Sequence, residues 1–212
     1  MTTNQPKYPR RQITDDAGAD VSDDTANAIR VMTVTPGGVS ATPTIIKEVR
    51  VTTVIQTATG GAYAANEIVG SDECTTTATA EWLFAAVARE NGAYGYITGA
   101  TIVSESESIT PRLTLFLFNA APTSTVAGSA ANTAPDAGDL AKYIGKIDFP
   151  AMESLGTTDS TTTVSPSTVG NLPLVFKCAA GADDLYGILV TRDVFTQTDT
   201  DDMTIILTVE QF

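Results

Sequence analysis

The 212-residue chain has no histidine, two cysteines, one tryptophan and few charged residues, 17% of the total. Without histidine, Ser-His-Asp and Cys-His mechanisms are excluded, as is every histidine-liganded metal site. Cys74 and Cys178 form no disulfide framework, and zinc-type spacing is absent. They read as two buried thiols, with a single bridge between them as the alternative. Basic residues are the scarcer charge, 12 against 25 acidic, giving a net charge of −13 and a pI near 4.2. Neutralising a phosphate backbone takes Lys and Arg, so nucleic-acid binding is not expected, and neither is binding to a membrane surface. No stretch approaches the ~18 apolar residues of a membrane span. The opening MTTNQPKYPRRQ has no apolar core of a secretory signal, so export by that route is not expected. No GxGxxG leads from a strand into a helix and no phosphate-binding loop occurs, so no cofactor is expected.

What is present is threonine, 35 residues of it, with frequent valine and isoleucine. These β-branched side chains suit a pleated surface and are poor helix formers. The stretch Pro111–Pro122, PRLTLFLFNAAP, carries the clearest pattern. Side chains alternate across a strand, so Leu113, Leu115 and Leu117 share one face while Thr114, Phe116 and Phe118 share the other. A strand apolar on both faces needs cover on both, which places it inside a sheet packed in a sandwich or under a flanking loop.

Residues 1–44 read as an arm. Lys7, Arg10 and Arg11 make its first twelve residues basic, and Asp15, Asp16, Asp20, Asp23 and Asp24 follow. In the run Ala28–Thr35, alternation puts Ile29 and Val31 on one side of a short strand, which Pro36-Gly-Gly interrupts. The arm reads either as a disordered tail or as an extended segment that orders by adding to a neighbour's surface. On the second reading Lys7, Arg10, Arg11, Ile29 and Val31 are the partner-binding residues.

Residues 45–212 read as a β domain. Ile45–Thr57 alternates with Val49, Val51 and Ile55 on one face, and Tyr63–Gly70 is a short second strand. Thr75–Arg89 is read as a strand pairing Trp82, Phe84 and Ala86, against a helix over Ala80–Asn91; Asn91-Gly92 then makes a tight turn. Ala93–Glu107 is a long strand with a solvated end. A loop over 121–135 leads to a helical turn capped by Asp136. Further strands are expected at Tyr143–Pro150, Leu172–Cys178, Leu185–Arg192 and Met203–Glu210, with a polar loop over 151–171 and a turn at Asp199–Asp202. Eight or nine strands with several connections too long for hairpins predict an all-β antiparallel sandwich of jelly-roll type.

Carboxylates are the remaining candidates for chemistry. Glu105 and Glu107 stand two apart on a strand, hence on one face, as an acid/base pair would. Their serine flanks favour a solvated strand end. Asp183-Asp184 and Asp199, Asp201 and Asp202 place oxygens in loops beside the last two strands, where calcium is one reading and turn chemistry the other. None has EF-hand spacing. The few aromatics fall mostly at strand positions, so a sugar-stacking platform has little support.

As an ordered set, YAANEIVG (Tyr63–Gly70), GAYGYITGATIVSES (Gly92–Ser106), LTLFLFNAAPT (Leu113–Thr123), DLAKYIGKIDFPA (Asp139–Ala151), LPLVFKCAAGADDLYGILVTRD (Leu172–Asp193) and DMTIILTVEQF (Asp202–Phe212) resemble β-rich virion proteins of tailed bacteriophages, of the head-decoration or capsid-auxiliary type. The N-terminal DDTANAIRVMTV (Asp23–Val34) also resembles the leader segments of phage structural and fibre proteins, so the likeness spans roughly residues 20–212; it is one of pattern, with no catalytic motif. It implies a non-enzymatic cement protein on the outer surface of the phage head, made in the host cytoplasm. The implied partner is the major capsid protein, and the implied assembly a homo-oligomer, a trimer by preference. A neck, head-fibre or tail-fibre component binding host surface or glycan is the alternative. A carbohydrate-binding module or carboxylate glycosidase is the rival from another class.

Overall fold

Eleven strands account for the computed structural model, which describes residues 44–55, 61–70, 81–166, 171–197 and 201–212. They are β1 (Ile45–Val54), β2 (Ile68–Val69), β3 (Trp82–Phe84), β4 (Tyr94–Ser104), β5 (Leu113–Phe118), β6 (Tyr143–Phe149), β7 (Glu153–Ser154), β8 (Ser160–Val164), β9 (Leu174–Lys177), β10 (Leu185–Thr191) and β11 (Asp202–Gln211). Among the described residues the sole helical element is a 3-10 turn, Ala137–Asp139, and Asp136 caps it by accepting a hydrogen bond from the Gly138 amide.

The strands form two antiparallel sheets. The first has the order β1-β11-β4-β8-β7, with β9 also on β4; the second has the order β2-β10-β5-β6, with β3 also on β10. Taking β1, β2, β4, β5, β6, β8, β10 and β11 as eight principal strands, the orders are first-eighth-third-sixth and second-seventh-fourth-fifth. That interleaving is a jelly roll. In it β10 and β11 follow one another in the chain but lie in opposite sheets.

β5 sits where its sequence puts it. It pairs with β10 on one side and β6 on the other, and all six of its residues are buried. Leu113, Leu115 and Leu117 enter the core between the sheets, with Ile102, Ile205, Leu207 and Val209. Phe116 and Phe118 enter a second cluster on the other face, with Ile68, Ile188, Val190, Val126 and Ala134. Val126 and Ala134 belong to the loop 121–135, which folds back over the sheet: Ser129 donates to the Ile68 carbonyl and Ile68 to that of Ala130. Burying a Leu or Phe side chain contributes roughly 1.5–3 kcal/mol, so the covered second face is a substantial stabilising element.

Three expectations change. Within Thr75–Arg89 the expected strand forms, among the described residues, over Trp82–Phe84 only and does not reach Ala86. Trp82 and Phe84 point into the core from β3, Leu83 points out, and Ala86 leaves the strand with φ at 52°. The polar loop 151–171 contains β7 and β8. β4 ends at Ser104, so Glu105 and Glu107 lie beyond the strand rather than on one of its faces.

Candidate partner-binding surfaces

The sequence-derived contact residues Lys7, Arg10, Arg11, Ile29 and Val31 lie outside the described residues, as do Cys74 and Asp199. The Glu pair does not assemble: Glu105 accepts a hydrogen bond from the Asp202 amide, and Glu107 is exposed. The Asp loops do not meet either. Asp184 accepts from the Ala86 amide, beside Val87, whose carbonyl takes the Gln211 side chain, while Asp201 accepts from the Ser106 hydroxyl near the other end of β11. Among the described residues no group of three or more His, Cys, Asp or Glu is placed to hold a metal. Cys178 is a free, buried thiol.

Three surfaces stand out instead. The outer face of the first sheet is lined by short hydroxyl side chains. Thr52 and Thr204 oppose each other across β1 and β11 with their hydroxyls 2.8 Å apart, and Thr101 and Thr163 do the same across β4 and β8 at 3.0 Å. Such pairs are a cross-strand stabilising unit and leave hydroxyls along the face.

At one corner of that face three rings meet. Tyr94 stacks on Phe212 with centroids 5.8 Å apart, and Tyr96 meets the same ring edge-on at 5.7 Å. Tyr94 is 56% exposed and Val175, opposite Tyr96 on β9, is 57% exposed. This is aromatic area held in water, where Tyr serves contact surfaces well because its ring is apolar and its tip polar.

The third surface is a cleft of about 370 Å³ on the outer face of the second sheet, lined by Arg112, Thr114, Lys146, Asp148 and Arg192, among others. The register builds it. Thr114 opposes Asp148 on β6 and Val190 on β10, and Arg112 and Arg192 follow at the strand ends. Arg112 grips Asp193 through Nε to Oδ2 (2.9 Å) and Nη2 to Oδ1 (2.7 Å), and its backbone amide adds a third bond to Oδ2. Those bonds hold the Asp193 carboxyl down at about 2. Lys146 lies 2.8 Å from Asp148 Oδ2. Burial alone would raise the Asp148 carboxyl, but hydrogen bonds from Lys146 and Thr114, with the charges of Lys146 and Arg192, bring it below the ordinary aspartate value.

Arg192 differs from its neighbours in the cleft. Nε donates to Thr114 Oγ1 and Nη1 to Asn66 Oδ1, both at 2.9 Å, so neutral oxygens orient the guanidinium; among the described residues it makes no ion pair, and its charge acts on Asp148 without direct contact. The cleft is thus a cationic spot on an acidic protein, suited to a carboxylate or another oxyanion. Sequence reasoning passed over it. The available signal was an arginine at the start of one apolar strand, PRLTLFLF, and another at the end of a second, LYGILVTR.

No family model and no curated protein matches the chain. Among solved structures it is similar to a chain of the Israeli acute paralysis virus full particle heated to 63 degrees, with 14% identity over 100% of this chain and 79% of that one, TM-score 0.25. It is also similar to a chain of a marine algae virus of the order Picornavirales, with 13% identity over 99% of this chain and 89% of that one, TM-score 0.22. At these scores the jelly-roll assignment rests on the strand order itself.

Proposed function

We propose that the chain is a non-enzymatic structural protein of a virion, and within that class a decoration or cement protein on the outside of a tailed-phage head. The sequence resemblance to phage virion proteins suggests the class. The observation that carries the reading is the outer face of the first sheet, where paired threonines run up to a corner of exposed tyrosines, a contact surface with no chemistry of its own. Binding to the major capsid protein draws on that face and on the arm, where Lys7, Arg10, Arg11, Ile29 and Val31 supply further contacts. Repetition over a lattice turns weak single contacts into tight holding. Charge contacts from the basic arm give orientation more than affinity.

The exposed Tyr94 and Tyr96 rings, packed on the half-buried Phe212, favour one second reading, a neck or fibre component that stacks host glycan on that corner. Quantitative mass spectrometry of purified particles separates the two. A cement protein is present in hundreds of copies, a neck or fibre protein in far fewer, and absence from the particle overturns both. Deleting residues 1–35 and measuring capsid occupancy on a gel tests the arm; unchanged occupancy removes it as the anchor.

A further inference from the structure

β1 is an edge strand, and its chemistry fits a second copy of itself. Among the described residues it pairs on one side only, with β11, in an unbroken register from Ile45↔Gln211 to Val54↔Asp202. Edge strands in natural proteins are normally blunted by proline, a bulge, shortness or charged side chains, because an open row of amides and carbonyls invites another strand; β1 carries only the last of these, in Lys47, whose Nζ is tied to the Ala86 carbonyl, and in Glu48 and Arg50, whose opposite signs select the partner. β1 is ten residues long, contains no proline and shows no register shift against β11.

Which backbone groups face outward follows from a hydrogen bond at the strand's end. The Ile55 amide donates to the Asp201 carbonyl, its direct opposite in the continued register, at 3.2 Å. In an antiparallel ladder the hydrogen-bonding groups alternate from residue to residue. The odd-numbered residues of β1 therefore bond to β11, and Ile46, Glu48, Arg50, Thr52 and Val54 direct their amides and carbonyls out of the sheet. The side chains of these same residues are exposed on the outer face.

A two-fold pairing of this edge must place even-numbered residues opposite even-numbered residues. Centring it on Glu48 or on Arg50 sets like charges directly against each other, which is destabilising. Centring it on Val49 sets Glu48 against Arg50 of the second copy and Arg50 against its Glu48, with Ile46 against Thr52 on either side. Glu48 and Arg50 already form an ion pair within one strand at 2.6 Å, so their side chains reach over the same face. We propose that β1 pairs antiparallel with β1 of a second copy about a two-fold axis at Val49, joining two six-stranded sheets into one. The interface is isologous, each copy giving the other the same patch. The inference does not depend on the virion reading. It also differs from the trimer expectation, because a two-fold edge cannot close a ring of three.

The test uses the full chain in sedimentation velocity at micromolar to tenfold higher concentrations. A mass of two chains is expected for the wild type. Glu48→Arg and Arg50→Glu each place like charges opposite one another and should weaken the pair by at least about tenfold, and the double variant E48R/R50E should restore it. Circular dichroism checks that each variant is folded. Amide exchange gives a second readout: Ile46, Glu48, Arg50 and Thr52 should become protected as concentration rises. A monomer at all concentrations, a mass of three chains, a dimer indifferent to either single reversal, or no rescue by the double variant each overturns the proposal.

Discussion

Ser124 gives both its amide and its hydroxyl to one carboxylate oxygen of Asp139, at 2.7 and 2.6 Å. Thr123 does the same to the other oxygen, at 2.7 and 2.8 Å. Asp139 is wholly buried, with Lys142 as a flanking cation at 3.5 Å. Burial by itself would raise its carboxyl, yet the four hydrogen bonds outweigh it and hold the group far below the usual aspartate value. The 3-10 turn is thereby tied to the start of the loop that covers Phe116 and Phe118.

Removing that carboxylate should release the cover. Asp139→Ala leaves four donors without their acceptor, and a loss of about 3 kcal/mol is expected. For a chain of this size that lowers Tm by about 10 °C. Thermal denaturation measures the loss, and hydrogen exchange should show amides of the 121–135 loop opening before those of β4 and β11. Uniform opening of both sheets would contradict the loop's role as a separate cover.

Asp193 links the cleft to acid stability. Its folded value, about 2, lies below the ~3.9 of an unfolded aspartate. Its stabilisation is therefore fully present above about pH 4 and is lost as pH falls through about 2. Asp193→Asn removes that dependence, so denaturant midpoints measured from pH 4.5 to 2.5 should fall less steeply than in the wild type. A carboxyl signal of Asp193 titrating near 4 by NMR would refute the grip of Arg112.

Cys178 should be unreactive. Burial, then the nearby charges of Asp183 and Asp184, push its thiol up to about 11, so at pH 8 the nucleophilic thiolate is scarce. Iodoacetamide should label the Cys178 peptide in denaturant and leave it unlabelled in the native protein, as read by peptide mass spectrometry. Rapid native labelling would show the site to be open.

Much of the architecture was legible because alternation survives wherever apolar side chains do the filling. LTLFLF announced a strand covered on both faces, and DMTIILTVEQ alternates inward and outward without a break. β8 escaped notice because Ser160 and Thr162 turn inward where Val or Ile would be expected. The cleft escaped notice for a different reason. Arg112 and Arg192 are far apart in sequence and meet only through the β5–β10 register, which local pattern does not specify. The same limit hid the crossing between sheets that separates β10 from β11.

The inward hydroxyl of Ser160 yields the least intuitive expectation. It accepts from the Ile109 amide at 3.1 Å and donates to the Ser106 carbonyl at 3.0 Å, while fully buried. Ser160→Val makes the strand more β-like and more apolar, which by pattern alone should help. It also removes the partner of a buried amide and of a buried carbonyl, and that desolvation cost prevails, for a net loss of about 2 kcal/mol. Thr163→Val on the outer face of the same strand gives up one hydroxyl contact in water and should change stability by about 0.5 kcal/mol or less. Urea denaturation of the two variants decides the matter: if Ser160→Val is as stable as the wild type, the hydroxyl is not what seats β8 against the core.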